Sequence, residues 1–171
     1  MIFLPKILTM NKTNAARILD SAGIGYSLTE YEVDESDLSA THVAAQLGQD
    51  VGQVFKTLVL RGDKNGLFVC VIPGADEVDL KKAAKASGNK SAEMIHVKEL
   101  QPLTGYIRGG CSPIGMKKKY PTYLDEQCIL YEEIYISAGI RGMQIKLAPD
   151  DLVKVTGCEI CELTVEGIRR F

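Results

Sequence analysis

The chain has 171 residues, of which 46% are hydrophobic and 25% charged, and its net charge at neutral pH is −2. This composition is typical of a globular domain with a real core, and the charge leaves any contact with nucleic acid to local basic patches. Five scattered cysteines indicate reduced thiols rather than a disulfide framework. No apolar run reaches the length of a membrane span, so we expect a cytoplasmic protein without membrane contact. Residues 1–10 are too short and too interrupted for a signal peptide, and we expect an N-terminal extension before a natural start at Met10.

Clear helix and strand patterns begin at Thr13. Thr13 and Ser39 each precede a short apolar stretch, which predicts two N-capped helices that end at Gly23 and Gly48. Between these helices, residues 26–31 alternate in the manner of a strand.

Residues 54–60 form a short, apolar and β-branched run, which predicts a buried strand. Asn65-Gly66 favours a hairpin that joins this strand to a second one over residues 67–72. Lys56 lies in the middle of the first strand, on the same face as apolar side chains two and four positions further on. An ammonium group there is costly unless it reaches water, a partner or a ligand. Position alone favours a lysine that extends to solvent near a sheet edge; the functional alternative is a lysine held in a cleft to meet an anionic or carbonyl group.

The second half of the chain continues with short elements. Asp79 is a predicted N-cap for a helix that Gly88 ends, and a short helix is expected over residues 97–100. Pro149 suits the first position of a further helix that ends at Gly157. Strands outnumber helices and do not alternate regularly with them, which predicts an α+β fold: a mixed, mostly antiparallel sheet or open barrel with short helices packed around it. We expect one domain over residues 11–171, with further strands over residues 122–124, 134–137, 143–147 and 159–164.

A glycine pair and two groups of lysines lie outside these patterns. Gly109-Gly110 precedes Ser112 in a loop whose N–H groups could cradle an anion or a carbonyl oxygen, although such a loop is commonly only a tight turn. Asp151 falls in the first turn of a helix, where the helix dipole favours an acidic side chain. The lysines are most simply solvated surface residues: Lys81, Lys82 and Lys85 on a predicted helix, and Lys117, Lys118 and Lys119 in a loop.

The residue inventory argues against several common active sites. The two histidines, His42 and His96, occur without a Gly-x-Ser-x-Gly motif, which disfavours a serine hydrolase triad. Cys158 and Cys161 form a lone Cys-x-x-Cys without the second pair of ligands that zinc requires. The pair follows a helix instead of starting one, unlike a thioredoxin-like redox pair. What remains is a pocket with a strand lysine, a glycine loop and a helix-start aspartate, which would act by orientation and electrostatic stabilisation.

Several motifs occur in an order that is specific as a set, although each is weak alone. They are Phe55-Lys56-Thr57-Leu58, Leu80-Lys81-Lys82-Ala83-Ala84-Lys85, Thr104-Gly105-Tyr106 followed by Gly109-Gly110-x-Ser112-Pro113, Arg141-Gly142, and Ala148-Pro149-x-Asp151-Leu152. Over residues 11–165 the chain thereby resembles the YbaK/EbsC family, the free-standing relatives of the prolyl-tRNA synthetase editing domain.

The resemblance implies a deacylase that acts in trans on cysteine mischarged onto tRNA for proline, with Cys-tRNA(Cys) as a second candidate substrate. It also implies a ternary complex with prolyl-tRNA synthetase and the mischarged tRNA, and neither a metal nor another cofactor. In the cysteine-specific branch, the substrate thiol attacks its own ester carbonyl and releases a cyclic thiolactone. A net acidic protein would bind tRNA weakly by itself, which suits a factor recruited through a synthetase.

The resemblance further implies roles for single residues. Lys56 would hold the aminoacyl ester or the terminal adenosine, and Asp151 would read the amino group or orient Lys56. The amides of Gly109 and Gly110, together with Ser112, would face the developing oxyanion. Tyr31 and Thr57 would line the pocket, and the candidates for contacts with tRNA phosphates are Lys81, Lys82, Lys85, Lys117 and Lys118.

The sequence leaves the substrate and the class of function open in three respects. Many family members have an aromatic residue ahead of the second helix, where this chain has Asp37-Leu38-Ser39. The preferred substrate could therefore carry another small amino acid, such as alanine. The protein could also be a non-catalytic module that binds tRNA or a synthetase. Finally, it could be a thiol-redox protein that uses Cys158 and Cys161.

Overall fold

The computed structural model describes residues 12–168; residues 1–11 and 169–171 lie outside the described part, and with them the predicted N-terminal extension. The described residues form five α-helices, eight strands and two short 3-10 helices, at residues 51–53 and 126–130. The helices are α1 (Asn14–Ser21), α2 (Ala40–Leu47), α3 (Leu80–Ala86), α4 (Val97–Thr104) and α5 (Pro149–Thr156). The strands are β1 (Ser27–Glu30), β2 (Phe55–Gly62), β3 (Gly66–Pro73), β4 (Ala92–Met94), β5 (Thr122–Asp125), β6 (Ile134–Ser137), β7 (Met143–Leu147) and β8 (Glu159–Cys161).

The strands form two sheets, of five strands in the order β4-β2-β3-β5-β8 and of three strands in the order β1-β7-β6. Four of the six strand pairs are antiparallel, and the pairs β3-β5 and β5-β8 are parallel. A parallel bridge between Val54 and Tyr135 brings the start of β2 beside β6. Within residues 12–168 neither sheet closes into a barrel. The predicted α+β fold is confirmed, and its strand pairing is mixed and mostly antiparallel, as expected.

β2 lies between two apolar cores, because its side chains alternate between the two faces of the sheet. Phe55 and Val59 point into the larger core, which also contains residues from β6 and β7. Leu60 points into the smaller core, where Ala83 of α3 and Leu163 pack against it. Lys56 shares the face of Leu60, as the alternation predicts.

Most element boundaries follow the local signals. The hydroxyl groups of Thr13 and Ser39 each accept an N–H from the first turn of their helix at 3.2 Å, and Gly48 and Gly157 end helices with positive φ. β4 was not predicted, since three residues are too few to establish an alternating pattern. The prediction for α4 stopped before its true end at Thr104, because Pro102 lies inside the helix.

Within residues 12–168, no helix combines the length with the apolar character that crossing a membrane would require.

The turn between β2 and β3 is held by the buried side chain of Asn89. Its Oδ1 accepts the N–H groups of Lys64 and Asn65 at 3.0 and 2.7 Å, and its Nδ2 donates to Ser87 Oγ at 2.7 Å. Asn89 lies directly against Gly62, where a Cβ atom would overlap the amide group. Gly62 is therefore required for close packing of the hairpin on this side chain.

We predict that Gly62→Ala displaces Asn89 and lowers the free energy of unfolding by about 2–4 kcal/mol, because two backbone N–H groups lose their acceptor. Gly25→Ala is the matched control, since nothing lies within 4 Å of a Cβ atom at that position. It should change the free energy of unfolding by less than about 0.5 kcal/mol. Urea denaturation of both variants measures the difference, and equal values would contradict the role of the Asn89 contact.

Candidate active site

An open cleft of about 510 Å³ lies along one edge of β2. On one side β2 pairs with β3 over its whole length, whereas on the other side β4 pairs only with Leu60–Gly62. On that side no described strand pairs with residues 56–58, and this stretch of the edge forms one wall of the cleft. The volume is in the range of typical small-ligand sites.

The other walls come from four separate parts of the chain. The loop over residues 31–39 and the start of α2 form one wall, residues 94–97 a second, and the turn over residues 108–111 a third. Ile136, Ser137 and Gln144, from the three-stranded sheet, form the floor. The lining combines apolar side chains with a smaller number of charged or polar groups, which is a usual arrangement for binding a small molecule.

Lys56 is half-buried in the wall of this cleft. Burial lowers the pKa of its ammonium group, and the negative charges of Asp76, Glu166 and Glu77 partly oppose this shift. These carboxylates act at a distance, because Lys56 forms no hydrogen bond or ion pair within residues 12–168. The ammonium therefore keeps its three N–H donors available for a ligand.

Thr57 and Tyr31, the predicted pocket residues, both line the cleft. The carbonyl of Val59 accepts the N–H of Ile95 at 3.2 Å, on the open side of β2. Because backbone groups of alternate residues point to the same edge, the N–H and carbonyl of Thr57 face the cleft. The N–H of Tyr31 donates to the carbonyl of Gly142 at 2.8 Å, which ties its loop to the three-stranded sheet.

The glycine pair divides into two different roles. Gly109 lines the cleft with φ of 84°, at the third position of a turn that requires a positive φ. The N–H of Gly110 closes this turn by donating to the carbonyl of Ile107 at 2.9 Å, so it is not available to an oxyanion. A Cβ atom on Gly110 would lie 2.9 Å from the backbone nitrogen of Arg141, which explains the glycine there by close packing. Gly109 is the member of the pair that faces the cleft.

Ser112 and Asp151 lie outside the cleft lining. Ser112 is fully buried, and its Oγ accepts the N–H of Ile114 at 3.2 Å within its own loop. Asp151 is in the first turn of α5 and pairs with Lys154 at 3.7 Å. The family resemblance implies that both act beside the substrate, whereas Ser112 is buried within its own loop and Asp151 lies on α5.

The five lysines proposed to contact tRNA lie on two elements. Lys81 and Lys85 are exposed on α3, and Lys117 and Lys118 are exposed on the loop before β5. Lys82 is already engaged, because its Nζ donates to Glu162 Oε1 and to the carbonyl oxygen of Thr164, each at 2.7 Å. Lys82 is thus the least available of the five for a phosphate.

Four further residues line the cleft that no sequence motif indicated: Gln144, Ser137, Arg108 and His96. Gln144 is 3% exposed, and its Oε1 accepts an N–H from Gln49. Its own NH₂ group is not used in this bond. A polar residue inside the apolar strand β7 was the available signal, the same one that drew attention to Lys56.

The cleft offers few candidates for a protein nucleophile. Cys111 lines it, but burial raises the pKa of its thiol to about 12, which disfavours the thiolate. Ser137 Oγ accepts the N–H of Gly139 at 3.1 Å, and within residues 12–168 no imidazole ring of a histidine hydrogen bonds to a hydroxyl or thiol side chain. The described residues also contain no cluster of three or more His, Cys, Asp or Glu side chains arranged to hold a metal ion.

The thiols of Cys158 and Cys161 are not disulfide-bonded. Burial raises the pKa of both, that of Cys161 to about 12. Reactive redox cysteines need a lowered pKa, so this pair has the properties of packed thiols.

The model of the "Aminoacyl-tRNA editing domain" family matches residues 35–155. The chain belongs to this family.

Individual relatives extend the match over most of the chain. A protein of Enterococcus faecalis named "Putative Cys-tRNA(Pro)/Cys-tRNA(Cys) deacylase EbsC" is 52% identical over 158 residues, which are 92% of this chain and 96% of the relative. "Uncharacterized protein YwhH" of Bacillus subtilis is 28% identical over 125 residues, or 73% of this chain and 78% of the relative. The crystal structure of "a putative trans-editing enzyme for prolyl tRNA synthetase" superimposes with a TM-score of 0.76 and 29% identity, covering 90% of this chain and 99% of that one.

We predict that Lys56→Met raises the stability of the protein at neutral pH, because methionine fills the same space without a charge to desolvate. The lowered pKa of Lys56 means that the unfolded chain binds this proton more tightly than the folded one. The free energy of unfolding of the wild type should therefore increase as the pH rises through the folded-state pKa of Lys56 toward 10.5. That of Lys56→Met should show no such increase.

Thermal and urea denaturation between pH 7 and 10.5 measure this difference. Lys64→Met is the matched control, since Lys64 is exposed in the turn after β2. A lower stability of Lys56→Met than of Lys64→Met at pH 7 would contradict the prediction.

Proposed function

We propose that this protein is a deacylase that acts in trans to remove cysteine from Cys-tRNA(Pro), with Cys-tRNA(Cys) as a second substrate. The observation that carries the proposal is the half-buried ammonium of Lys56, which is held in the cleft without an ion pair in the described chain. The family match and the E. faecalis relative support the substrate class.

The proposed reaction uses the nucleophile of the substrate. The cysteinyl thiol loses its proton to solvent, and its sulfur attacks the carbonyl carbon of its own ester. The bond between that carbon and the ribose oxygen then breaks, and the ribose oxygen takes up a proton. The products are a cyclic cysteine thiolactone and uncharged tRNA.

The cleft supplies electrostatic stabilisation for this attack. Negative charge develops on the carbonyl oxygen of the ester, and donors that are already in place stabilise it at little further cost. We assign this role to the ammonium of Lys56 and to the N–H of Gly109, which donates to no acceptor within residues 12–168. The turn closed by Gly110 and the buried hydroxyl of Ser112 would hold Gly109 in position.

The remaining cleft groups are suited to hold the end of the tRNA. The backbone N–H and carbonyl of Thr57 face the cleft as a donor–acceptor pair, which matches the hydrogen-bonding edge of an adenine. Tyr31 and Thr57 line the same opening, so the ring of Tyr31 can pack on the ribose or on the base of the terminal adenosine. The NH₂ of Gln144 is a further donor at the floor.

Selectivity for cysteine follows from the chemistry of the substrate. A thiol with a pKa of about 8.5 supplies some thiolate at neutral pH. A serine hydroxyl ionises far less readily, and alanine has no nucleophile.

We propose that the protein acts in the cytoplasm together with prolyl-tRNA synthetase and mischarged tRNA. The net charge of −2 provides little general attraction for tRNA. Local contacts to phosphates would come from the exposed Lys81, Lys85, Lys117 and Lys118, and Lys82 would contribute less because of its ion pair with Glu162.

The test is single-turnover hydrolysis of Cys-tRNA(Pro), Ala-tRNA(Pro) and Pro-tRNA(Pro), with and without prolyl-tRNA synthetase. We expect only Cys-tRNA(Pro) to be lost and the thiolactone to be detected by mass spectrometry. Lys56→Ala should slow this reaction about 10²–10³-fold, the usual effect of removing an oxyanion donor. Lys64→Ala, in the exposed turn after β2, is the matched control.

Two other results would change the proposed function. Loss of Ala-tRNA(Pro) would retain the deacylase and change its substrate. Hydrolysis of no ester, even with the synthetase present, would reject catalysis and favour a module that binds tRNA or a synthetase.

A further inference from the structure

Asp125 is a fully buried carboxylate at the end of β5. Its Oδ1 accepts the N–H of Leu163 at 2.9 Å. Its Oδ2 accepts both the backbone N–H and the Nε2 of Gln127, at 3.1 and 2.9 Å. Burial raises the pKa of Asp125, and the nearby charge of Asp76 raises it further, while these hydrogen bonds lower it. The mechanism proposed above makes no use of this costly group.

Gln127 connects Asp125 to a second carboxylate. Its side-chain Nε2 lies 2.9 Å from Asp76 Oδ2 and 3.1 Å from Thr164 Oγ1, in addition to its bond with Asp125. One amide group thus bridges two carboxylates, one buried and one half-buried. The bridge holds the Asp76 side chain in place on the turn that follows β3.

Asp76 lies in the turn after β3, beside the start of β2. Lys56 pairs in register with Ile72, and the chain then turns back on itself, with the N–H of Asp76 donating to the carbonyl of Pro73 at 3.0 Å. The turn that carries Asp76 thus lies next to the start of β2, and Asp76 and Lys56 form no ion pair with each other. Among the charges that act on Lys56, that of Asp76 has the largest effect.

We propose that Asp76 is a positioning residue for the deacylation, clamped by Gln127 onto buried Asp125 so that the Lys56 ammonium stays charged while its N–H donors stay free. This inference rests on the proposed function of Lys56. A direct ion pair would also keep the charge, but it would occupy donors that the substrate oxyanion needs. A carboxylate held at a distance avoids this conflict, because Coulombic attraction acts over a longer range than a hydrogen bond.

Other charged groups surround Lys56 and define the controls. Glu166 and Glu77 also stabilise its charge, in that order and less than Asp76. Asp37, His96 and Arg108 line the cleft itself. Of the three carboxylates that act on Lys56, Asp76 is the one that Gln127 bonds through its side chain.

The experiment measures the pKa of Lys56 by NMR titration of its side chain, with Lys56→Arg used to assign the signal. The variants are Asp76→Asn, Glu166→Gln, Glu77→Gln and Gln127→Met, with Glu132→Gln as an exposed control outside the cleft. We expect the pKa to fall most in Asp76→Asn, less in Glu166→Gln and least in Glu77→Gln. Gln127→Met should lower it because Asp76 is released, and Glu132→Gln should leave it unchanged.

The same variants are then compared by the pH profile of single-turnover deacylation, corrected for spontaneous ester hydrolysis. Because the protonated lysine is the active form, the alkaline limb should move to lower pH in Asp76→Asn and Gln127→Met. Asp76→Glu should restore much of the wild-type profile. A general loss of fold would instead lower the rate equally at every pH.

An unchanged Lys56 pKa in Asp76→Asn would overturn the inference. A lowered pKa with an unchanged pH profile would also overturn it, since the charge would then not serve the reaction. If the wild type cleaves no ester, the proposed function fails, and the NMR titration still shows by itself whether Asp76 and Gln127 control the charge of Lys56.

Discussion

The cap of α4 limits the length of β4, and the cleft exists because β4 is short. Glu99 Oε2 accepts the N–H of His96 at 2.9 Å, and Glu99 Oε1 pairs with Arg61 of β2 at 2.8 Å. These bonds turn the chain from strand into helix just after it has paired with Leu60–Gly62. A longer β4 would cover the open edge of β2, and both the exposed backbone of Thr57 and the access to Lys56 would be lost.

The charge of Lys56 is kept by a balance of opposing effects. Burial against apolar neighbours disfavours the ammonium, and carboxylates beyond hydrogen-bonding distance favour it. Burying the ammonium lowers the folding stability of the protein, but it provides a cation with free N–H donors in the cleft. Active sites commonly lower stability in this way. It also explains how the cleft can act on an ester without a strong nucleophile of its own, because the proposed substrate brings a thiol.

Sequence reasoning was accurate where the relevant interaction is local, and limited where it is not. The family resemblance named Lys56, Thr57, Tyr31 and Gly109 as site residues, and all four line the cleft. Ser112 and Asp151 belong to the same motifs, yet they lie outside the cleft. Motif order says which segments belong to one family, but the direction of each side chain depends on how its loop or helix packs.

The sequence by itself determined the caps at Thr13, Ser39 and Asp79, the hairpin of β2 and β3, and the face on which Lys56 lies. Each depends on contacts within a few residues of the chain or on strand alternation. Only the tertiary structure decided the gap beside β2 and the position of Gln144 in the floor. It also decided the hydrogen bonds that link Asp125 through Gln127 to Asp76. Asp76 precedes Asp125 by 49 positions and Gln127 by 51. Such contacts depend on how the two sheets pack, and no local pattern encodes that packing.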